Sequence, residues 1–238
     1  MYNNKKVSLI FPSFNEEEGI SKAIEEFDKT NIIDEIIAVD NNSTDKTAEI
    51  IKRSKATYVL ETTQGYGAAI RKGLKECSGN LLVITEPDGS FTAKDLDRLL
   101  SYTDKYDCVF GTRTSKDHIE KGAKMNFLLR SGNIIVAKFL SILFPFNNFT
   151  DVGCTYKILS RKSYDKIKDD LKVIGSELQP EIMVRTILKK QSIKEIPVVY
   201  KKRSGRSKIT KDFTSTAILA LKMINLIIVL RLKSFLKN

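Results

Sequence analysis

From residue 7 to residue 110 the chain alternates between two hydrophobic patterns. Short apolar runs at 7–11, 35–40, 57–60, 81–85 and 107–110 read as buried strands. Between them, apolar positions recur at helical spacing over 17–29, 44–54, 67–77 and 94–103. Ser43 or Thr44 stands where it can cap the second helix, with Asp45 in the first turn, where the helix dipole favours a carboxylate. Strands that are apolar throughout and alternate with helices predict an α/β domain with a mostly parallel sheet, covered on both faces. Ligands of such sheets bind beyond the carboxyl ends of the strands, and the polar clusters of this chain fall there.

Past Gly111 the pattern changes. Residues 133–146 are apolar but for a few positions and carry one charge, Lys138. A β-like run over 152–159, helices near 162–168 and 177–190, and a strand over 193–200 follow. Then comes the basic stretch KKRSGRSKITK and a final helix from about residue 212 onward. With no internal repeat or low-complexity linker, the expected organisation is one domain over 1–211 and an amphipathic helical extension over 212–238. The apolar run 217–230 is 14 residues long and is interrupted by Lys222 and Asn225. At ~1.5 Å per residue it reaches about 21 Å, short of the roughly 30 Å hydrocarbon core. It reads as a helix lying on a membrane or on a partner protein. The alternative is a core helix with a solvated basic tail.

Composition alters this picture in one respect. Of 238 residues, 42% are hydrophobic and 29% charged, which suits one folded domain and argues against disorder. The net charge of +11, however, points to an anionic partner: nucleic acid, anionic lipid or a phosphorylated small molecule. Nucleic acid is disfavoured, because no aromatic residues interleave KKRSGRSK and no reading helix or RNA-binding signature is present. Cys77, Cys108 and Cys154 have neither disulfide-framework nor zinc spacing and read as buried thiols in a reducing compartment. The opening MYNNKKVSLIF lacks the apolar length of a signal peptide, so the expected location is cytosolic. The one histidine, His118, lies in a polar stretch and reads as a surface residue.

Four clusters carry candidate chemistry. In PSFNEEE, Asn15 and Glu16 sit where a strand gives way to a helix, as ligand contacts or as a simple helix cap. In VDNNSTDKT, Asp40 ends a strand and can accept hydrogen bonds from a ribose or a base; capping leaves Asp40 and Asn42 without a role. In QGYGAAIRKGL, Gly65 and Gly67 fit a tight turn close to a phosphate, although the spacing is not that of a dinucleotide fingerprint. In VITEPDGSF, Glu86 and Asp88 flank Pro87 just past a buried strand. Two carboxylates at i and i+2 can meet one Mg²⁺ or Mn²⁺ that also bridges a diphosphate, whereas the plainer reading is a Pro-Asp-Gly turn.

The ordered series PSFNE, VDNNSTDKT, QGYGAAIRKG, EPD, FGTR, DVGCTYKILSR, EIPVVY and RSGRSK resembles family 2 glycosyltransferases of the GT-A fold. It is most similar to their dolichol-phosphate mannose and glucose synthase branch, over roughly residues 7–210. The resemblance implies that Pro12, Phe14, Glu16 and Asp40 surround the nucleotide of a nucleotide-diphosphate sugar. It puts Glu86 and Asp88 on the metal and diphosphate, Arg113 and Arg130 at the acceptor phosphate, and Ser207 and Lys208 in a loop closing over the substrates. Two departures stand out: Glu86 replaces the usual first aspartate, and Ser90 stands where a glutamine often follows.

The implied activity is inverting transfer of a sugar to a polyprenyl or dolichyl phosphate, by an enzyme held peripherally on the cytoplasmic face of a membrane or by a membrane partner. Processive polysaccharide synthases of the wider family carry a QxxRW motif, and this chain has no tryptophan. Transfer to a hydroxyl of a glycan or protein is the enzymatic rival and needs a carboxylate base, for which Glu177 and Glu181 are the candidates. A non-catalytic basic membrane-binding module is the rival of another class.

Overall fold

The computed structural model of the chain describes residues 1–123, 125, 127–144, 148–205 and 213–236. Seven strands form one sheet: β1 (Val7–Ser13), β2 (Glu35–Asp40), β3 (Thr57–Leu60), β4 (Leu81–Ile84), β5 (Cys108–Thr112), β6 (Lys157–Ser160) and β7 (Ile193–Pro197). Their order across the sheet is β3-β2-β1-β4-β6-β5-β7. The pairs β2/β3, β1/β2, β1/β4 and β5/β7 are parallel, and β6 alone runs antiparallel, between β4 and β5. The helices are α1 (Ile20–Asp28), α2 (Thr47–Lys52), α3 (Tyr66–Glu76), α4 (Leu96–Leu100), α5 (Phe127–Leu143), α6 (Arg161–Ile167), α7 (Leu178–Leu188) and α8 (Phe213–Phe235). The mostly parallel, doubly covered α/β sheet expected from the pattern is the observed architecture.

Successive residues of a strand point to opposite faces, and β1 shows how this builds two cores. Val7, Leu9 and Phe11 pack with Ile20, Ile24 and Phe27 of α1, where the Phe11 and Phe27 rings meet edge to face at 5.5 Å. Ile10 points the other way, into a cluster with Ile70 and Leu74 of α3, Val136 and Leu140 of α5, and Ile182 of α7. All three cysteines are buried.

Three local expectations need correction. The second helix begins at Thr47, and neither Ser43 nor Thr44 caps it. Ser43 Oγ instead accepts from Asn15 N at 3.0 Å, and Thr44 N donates to Asn15 Oδ1 at 2.8 Å, so the two residues stitch neighbouring strand-end loops together. The β-like run over 152–159 shortens to Lys157–Ser160, because its first half turns to build the site described below.

The third correction concerns the last helix. α8 has 23 residues, and its Thr214–Phe235 portion is long and apolar enough to cross a membrane by length and composition. The apolar run of 14 residues covers only the middle of the helix, which continues through the polar flank before it and the charged flank after it. The helix nevertheless lies along the domain. Met223, Ile227 and Leu230 are buried in the same cluster as α5 and α7, and the Arg231 guanidinium stacks 5.1 Å from the Phe144 ring. Its other side exposes Ile218, Leu221, Ile228, Leu232 and Phe235, and α5 exposes Ile135 and Ile142.

Gly73 sets how closely α3 approaches the sheet. A Cβ there would collide with Ile10 Cγ2 and stand 3.0 Å from Val39 Cγ2, both inside the core. Alanine in a helix is ordinarily better than glycine by up to about 1 kcal/mol, but overpacking costs about 1–3 kcal/mol. Gly73→Ala is therefore expected to lower the melting temperature, at about 2–4 °C per kcal/mol for a domain of this size. A neutral or raised value in a thermal melt would show that α3 has slack against β1.

Candidate active site

The carboxyl ends of β1, β2 and β4 converge on a pocket of about 240 Å³. Pro12, Ser13 and Phe14 from the end of β1 and Glu16 beyond it form one wall; Asn41, Gln64, Tyr66 and Ala69 form another. Glu86, Pro87, Asp88 and Arg203 close the inner end. A second pocket of about 140 Å³ adjoins it, and Tyr66, Glu86 and Arg203 line both. One side of the second pocket is apolar, with Leu129 and Val136 of α5 facing Leu219, Ala220 and Met223 of α8. Its polar lining includes Arg113, Asn133, Thr155, Gln179 and Tyr200.

Glu86 and Asp88 are drawn together as their spacing suggested, and burial makes the pair electrostatically tense. Tyr66 Oη and Thr155 Oγ1 lie 3.0 and 2.9 Å from Glu86 Oε1. Asp88, 2% exposed, accepts Ser90 N on Oδ1 at 2.9 Å and faces Arg203 Nη2 from Oδ2 at 3.1 Å. Burial, and then the neighbouring Asp88 charge, push the Glu86 carboxyl up to about 7. Burial and then Glu86 raise the Tyr66 phenol well above its ordinary value, so it stays a proton donor. Arg203 also reaches Glu16 Oε1 at 3.3 Å, which places one guanidinium among three carboxylates.

The backbone around this pair is tied to the segment that carries Arg203. Lys201 N donates to Ser90 O at 2.8 Å and Ser204 N to Asp88 O at 2.7 Å. Gly89 makes the turn with φ +76°, in the left-handed region that glycine enters without strain. Ser207 and Lys208, expected in a closing loop, lie outside the described residues.

The other expected site residues separate into two groups. Pro12, Phe14 and Glu16 line the first pocket. Asp40 does not: it is 3% exposed, with Oδ1 accepting Ser43 N at 3.0 Å and Oδ2 accepting Tyr58 Oη at 3.3 Å. The wall position next to it belongs to Asn41, whose Oδ1 accepts Gly65 N at 2.7 Å and whose Nδ2 donates to Glu61 O and Thr63 O. Asn42, with φ +61°, supplies the left-handed turn that asparagine tolerates.

Arg113 lines the second pocket, but two of its nitrogens are committed. Nε and Nη2 donate to the two carboxylate oxygens of buried Asp151, at 2.8 and 2.9 Å, and its guanidinium stands 5.3 Å from the Tyr200 ring. This is a buried fork rather than a surface ion pair. Arg130, on α5, donates from Nε to Thr114 O at 2.7 Å and is not among the lining residues. His118 sits 3.3 Å from Ser115 Oγ and lines neither pocket. Tyr66, Asp151, Thr155, Gln179 and Arg203 were not singled out from the sequence. Tyr66 lies within QGYGAAIRKG, Asp151 and Thr155 within DVGCTYKILSR, and Arg203 within RSGRSK, but only the fold brings them to Glu86 or Arg113.

The raised Glu86 carboxyl makes stability depend on pH in a defined direction. The folded state holds this proton up to about pH 7, whereas the unfolded chain releases it near 4.5, the ordinary value. The contribution is full below the unfolded value and is lost as pH rises through the folded one. Glu86→Gln keeps the shape and an acceptor for Tyr66 but removes the charge. Its melting temperature should match the parent's near pH 4.5 and exceed it by several degrees at pH 8. A difference that stays flat across that range in paired thermal melts would contradict the charge crowding.

Comparison with known proteins places the fold and the family. The model of Glycosyl transferase family 2 matches residues 8–168. A dolichyl-phosphate hexose transferase of Haloferax volcanii is 28% identical over 211 residues, spanning 87% of this chain and 88% of that protein. A dolichyl-phosphate beta-glucosyltransferase of Trichomonas vaginalis is 26% identical over 241 residues, spanning 89% and 73%. Among solved structures, glucosyl-3-phosphoglycerate synthase of Mycobacterium tuberculosis, crystallised with Mn²⁺, UDP-glucose and phosphoglyceric acid, superposes with a TM-score of 0.76 at 17% identity. That match covers 96% of this chain and 80% of the synthase, and at such identity it speaks for the fold. With the family model covering well over half of its length, this chain belongs to glycosyl transferase family 2.

Proposed function

We propose that the protein transfers a hexose from a nucleoside-diphosphate sugar to a polyprenyl or dolichyl phosphate, with inversion, at a membrane surface. One observation carries the reading: two unlike pockets meet at Glu86, Tyr66 and Arg203, one at the strand ends and one walled by apolar residues of α5 and α8. The first suits the nucleotide diphosphate. The second suits a phosphate that carries a hydrocarbon chain. The names of the Haloferax and Trichomonas relatives agree with that acceptor.

The donor set also fits a divalent cation held in part by substrate. Among the described residues no group of three or more His, Cys, Asp or Glu gathers as a self-sufficient metal cage. Glu86 and Asp88 offer two carboxylates side by side, a set that suits Mg²⁺ or Mn²⁺ when substrate phosphates supply further oxygens. Such an ion, when bound, would neutralise charge growing on the departing diphosphate. Arg203, 3.1 Å from Asp88, brings a second positive charge to the same place.

An acceptor phosphate has a second pKa near ~6 and is largely dianionic at neutral pH. Its oxygen attacks the anomeric carbon as the bond to the diphosphate breaks on the opposite face, so configuration inverts and no base need remove a proton. The placement of the carboxylates supports this. Glu181 is buried and accepts Lys172 N and Val173 N at 3.0 Å, with Arg185 at 3.5 Å. Glu177 lies 3.9 Å from Lys222. Neither residue lines the second pocket, so the two carboxylates expected to serve a hydroxyl acceptor as base do not stand there, and Glu86 is the carboxylate that does. Arg113, fixed by Asp151, gives this pocket positive charge without needing to move.

Membrane attachment follows from the two faces of α8. Met223, Ile227 and Leu230 hold the helix on the domain, and Ile218, Leu221, Ile228 and Leu232 face outward with Lys222 and Lys233 beside them. That arrangement suits a helix lying in the interface, its basic residues at the headgroups, rather than one crossing the bilayer. Three buried free thiols suit the reducing, cytoplasmic side.

Two outcomes are expected. With a radiolabelled nucleotide-sugar panel, label should pass to polyprenyl phosphate and not to the matching alcohol or to simple sugars. Asp88→Asn should lower that transfer at least a hundredfold, about 3 kcal/mol of transition-state stabilisation. Preference for the alcohol, or an active Asp88→Asn, would remove the acceptor or the diphosphate assignment respectively. Separately, high salt or carbonate should release the protein from membranes, and Leu221→Glu with Leu232→Glu should abolish sedimentation with anionic vesicles. Retention in the pellet through both washes would mean that α8 spans.

A further inference from the structure

Gln179 stands at the start of α7, is 2% exposed and lines the pocket between α5 and α8. Neither its Nε2 nor its Oε1 has a hydrogen-bond partner among the described residues. Buried amides are nearly always paired, so an unpaired donor and acceptor at a pocket wall mark a place where a ligand or an ordered water supplies both bonds. Ala220 of the same pocket offers neither donor nor acceptor from its side chain, Met223 offers only a weakly accepting thioether sulfur, and the Glu86 carboxylate already receives Tyr66 and Thr155.

We propose that Gln179 binds the hexose being transferred, through two adjacent hydroxyl groups, and so helps to select the sugar. Oε1 accepts from one hydroxyl while Nε2 donates to the next. The ligand must offer both a donor and an acceptor. An ionised phosphate offers acceptors only and would set its charge against Oε1, and a polyprenyl chain offers neither. A vicinal diol offers both. The inference rests on the reading that the nucleotide diphosphate lies in the adjoining pocket. Because Glu86, Tyr66 and Arg203 line both pockets, a sugar on a diphosphate near Asp88 extends into the one that Gln179 faces.

The test uses the full chain with Mn²⁺ and titrates UDP, UDP-glucose, GDP and GDP-mannose, together with deoxy forms of the preferred sugar nucleotide. Gln179→Leu and Gln179→Met remove the amide at similar volume, and both are checked by melting temperature. The nucleoside diphosphate should bind parent and variants alike, and the sugar nucleotide should bind the variants about ten- to thirtyfold more weakly, as expected when one or two hydrogen bonds are lost. One deoxy analogue should weaken binding to the parent by a similar factor and leave the variants indifferent to that hydroxyl. If the variants keep the parent's preference for the sugar nucleotide over the diphosphate, Gln179 is paired with water only and the inference falls. The same holds if the parent shows no such preference. Lipid transfer is measured alongside: Gln179-dependent sugar binding without lipid product would overturn the proposed acceptor and leave this inference standing.

Discussion

Glu86 and Asp88 lie side by side under protein cover, and like charges so placed raise each other's energy unless something answers them. Much of the local structure is that answer. The Tyr66 and Thr155 hydroxyls bring α3 and the approach to β6 to one carboxylate. Ser90 N and Arg203 serve the other. Arg203 comes from far along the chain, and Lys201 N and Ser204 N pin its segment to the turn at 88–90. A cluster that attracts cations thus also gathers four separate stretches of sequence around the junction of the two pockets.

A second charged pair organises the other half of the site. Arg113 follows β5 and Asp151 precedes β6, so their fork fixes the ends of two neighbouring strands relative to each other. Glu195 of β7 extends the tie, accepting Thr150 N, Thr150 Oγ1 and Asp151 N, while burial pushes its own carboxyl up to about 7. A buried ion pair is seldom a net source of stability, since desolvation offsets its attraction. Its effect here is one of position. It holds the 148–153 segment, and with it Val152 and Gly153, as a wall of the second pocket.

The parallel half of the sheet was legible because its strands are apolar throughout and are separated by helical periods. The antiparallel direction of β6 was not, although a β-like run was read there. The strand is four residues long, and its direction depends on where α5 delivers the chain, which no local pattern records. That Glu86 and Asp88 share one pocket could be read from spacing alone, since i and i+2 at a strand end already determine a shared neighbourhood. Asp40 marks the strand end, but its side chain turns to Ser43 N and Tyr58, and it is Asn41 that lines the wall. Arg203 and Gln179 carry no local signal, because their importance lies in what they meet or fail to meet after folding. The final helix was legible from about residue 212 onward, but its apolar reach was taken as 14 residues because charged residues interrupt hydropathy without interrupting a helix.

On the proposed membrane attachment, that helix would connect the chemistry to the membrane in a way an appended anchor would not. One side of α8 supplies Leu219, Ala220 and Met223 to the second pocket, and the opposite side carries the exposed apolar stripe. A helix lying in the interface would therefore form at once the floor on the lipid side and the wall on the catalytic side. A polyprenyl phosphate in the proposed site would then have its chain between α5 and α8 and its phosphate at Arg113, without the lipid leaving an apolar environment entirely. The helix is bound to the core through Met223, Ile227 and Leu230, so a shift of the helix on a membrane would also shift the wall of the second pocket. On this reading membrane contact and acceptor binding are coupled through one rigid element.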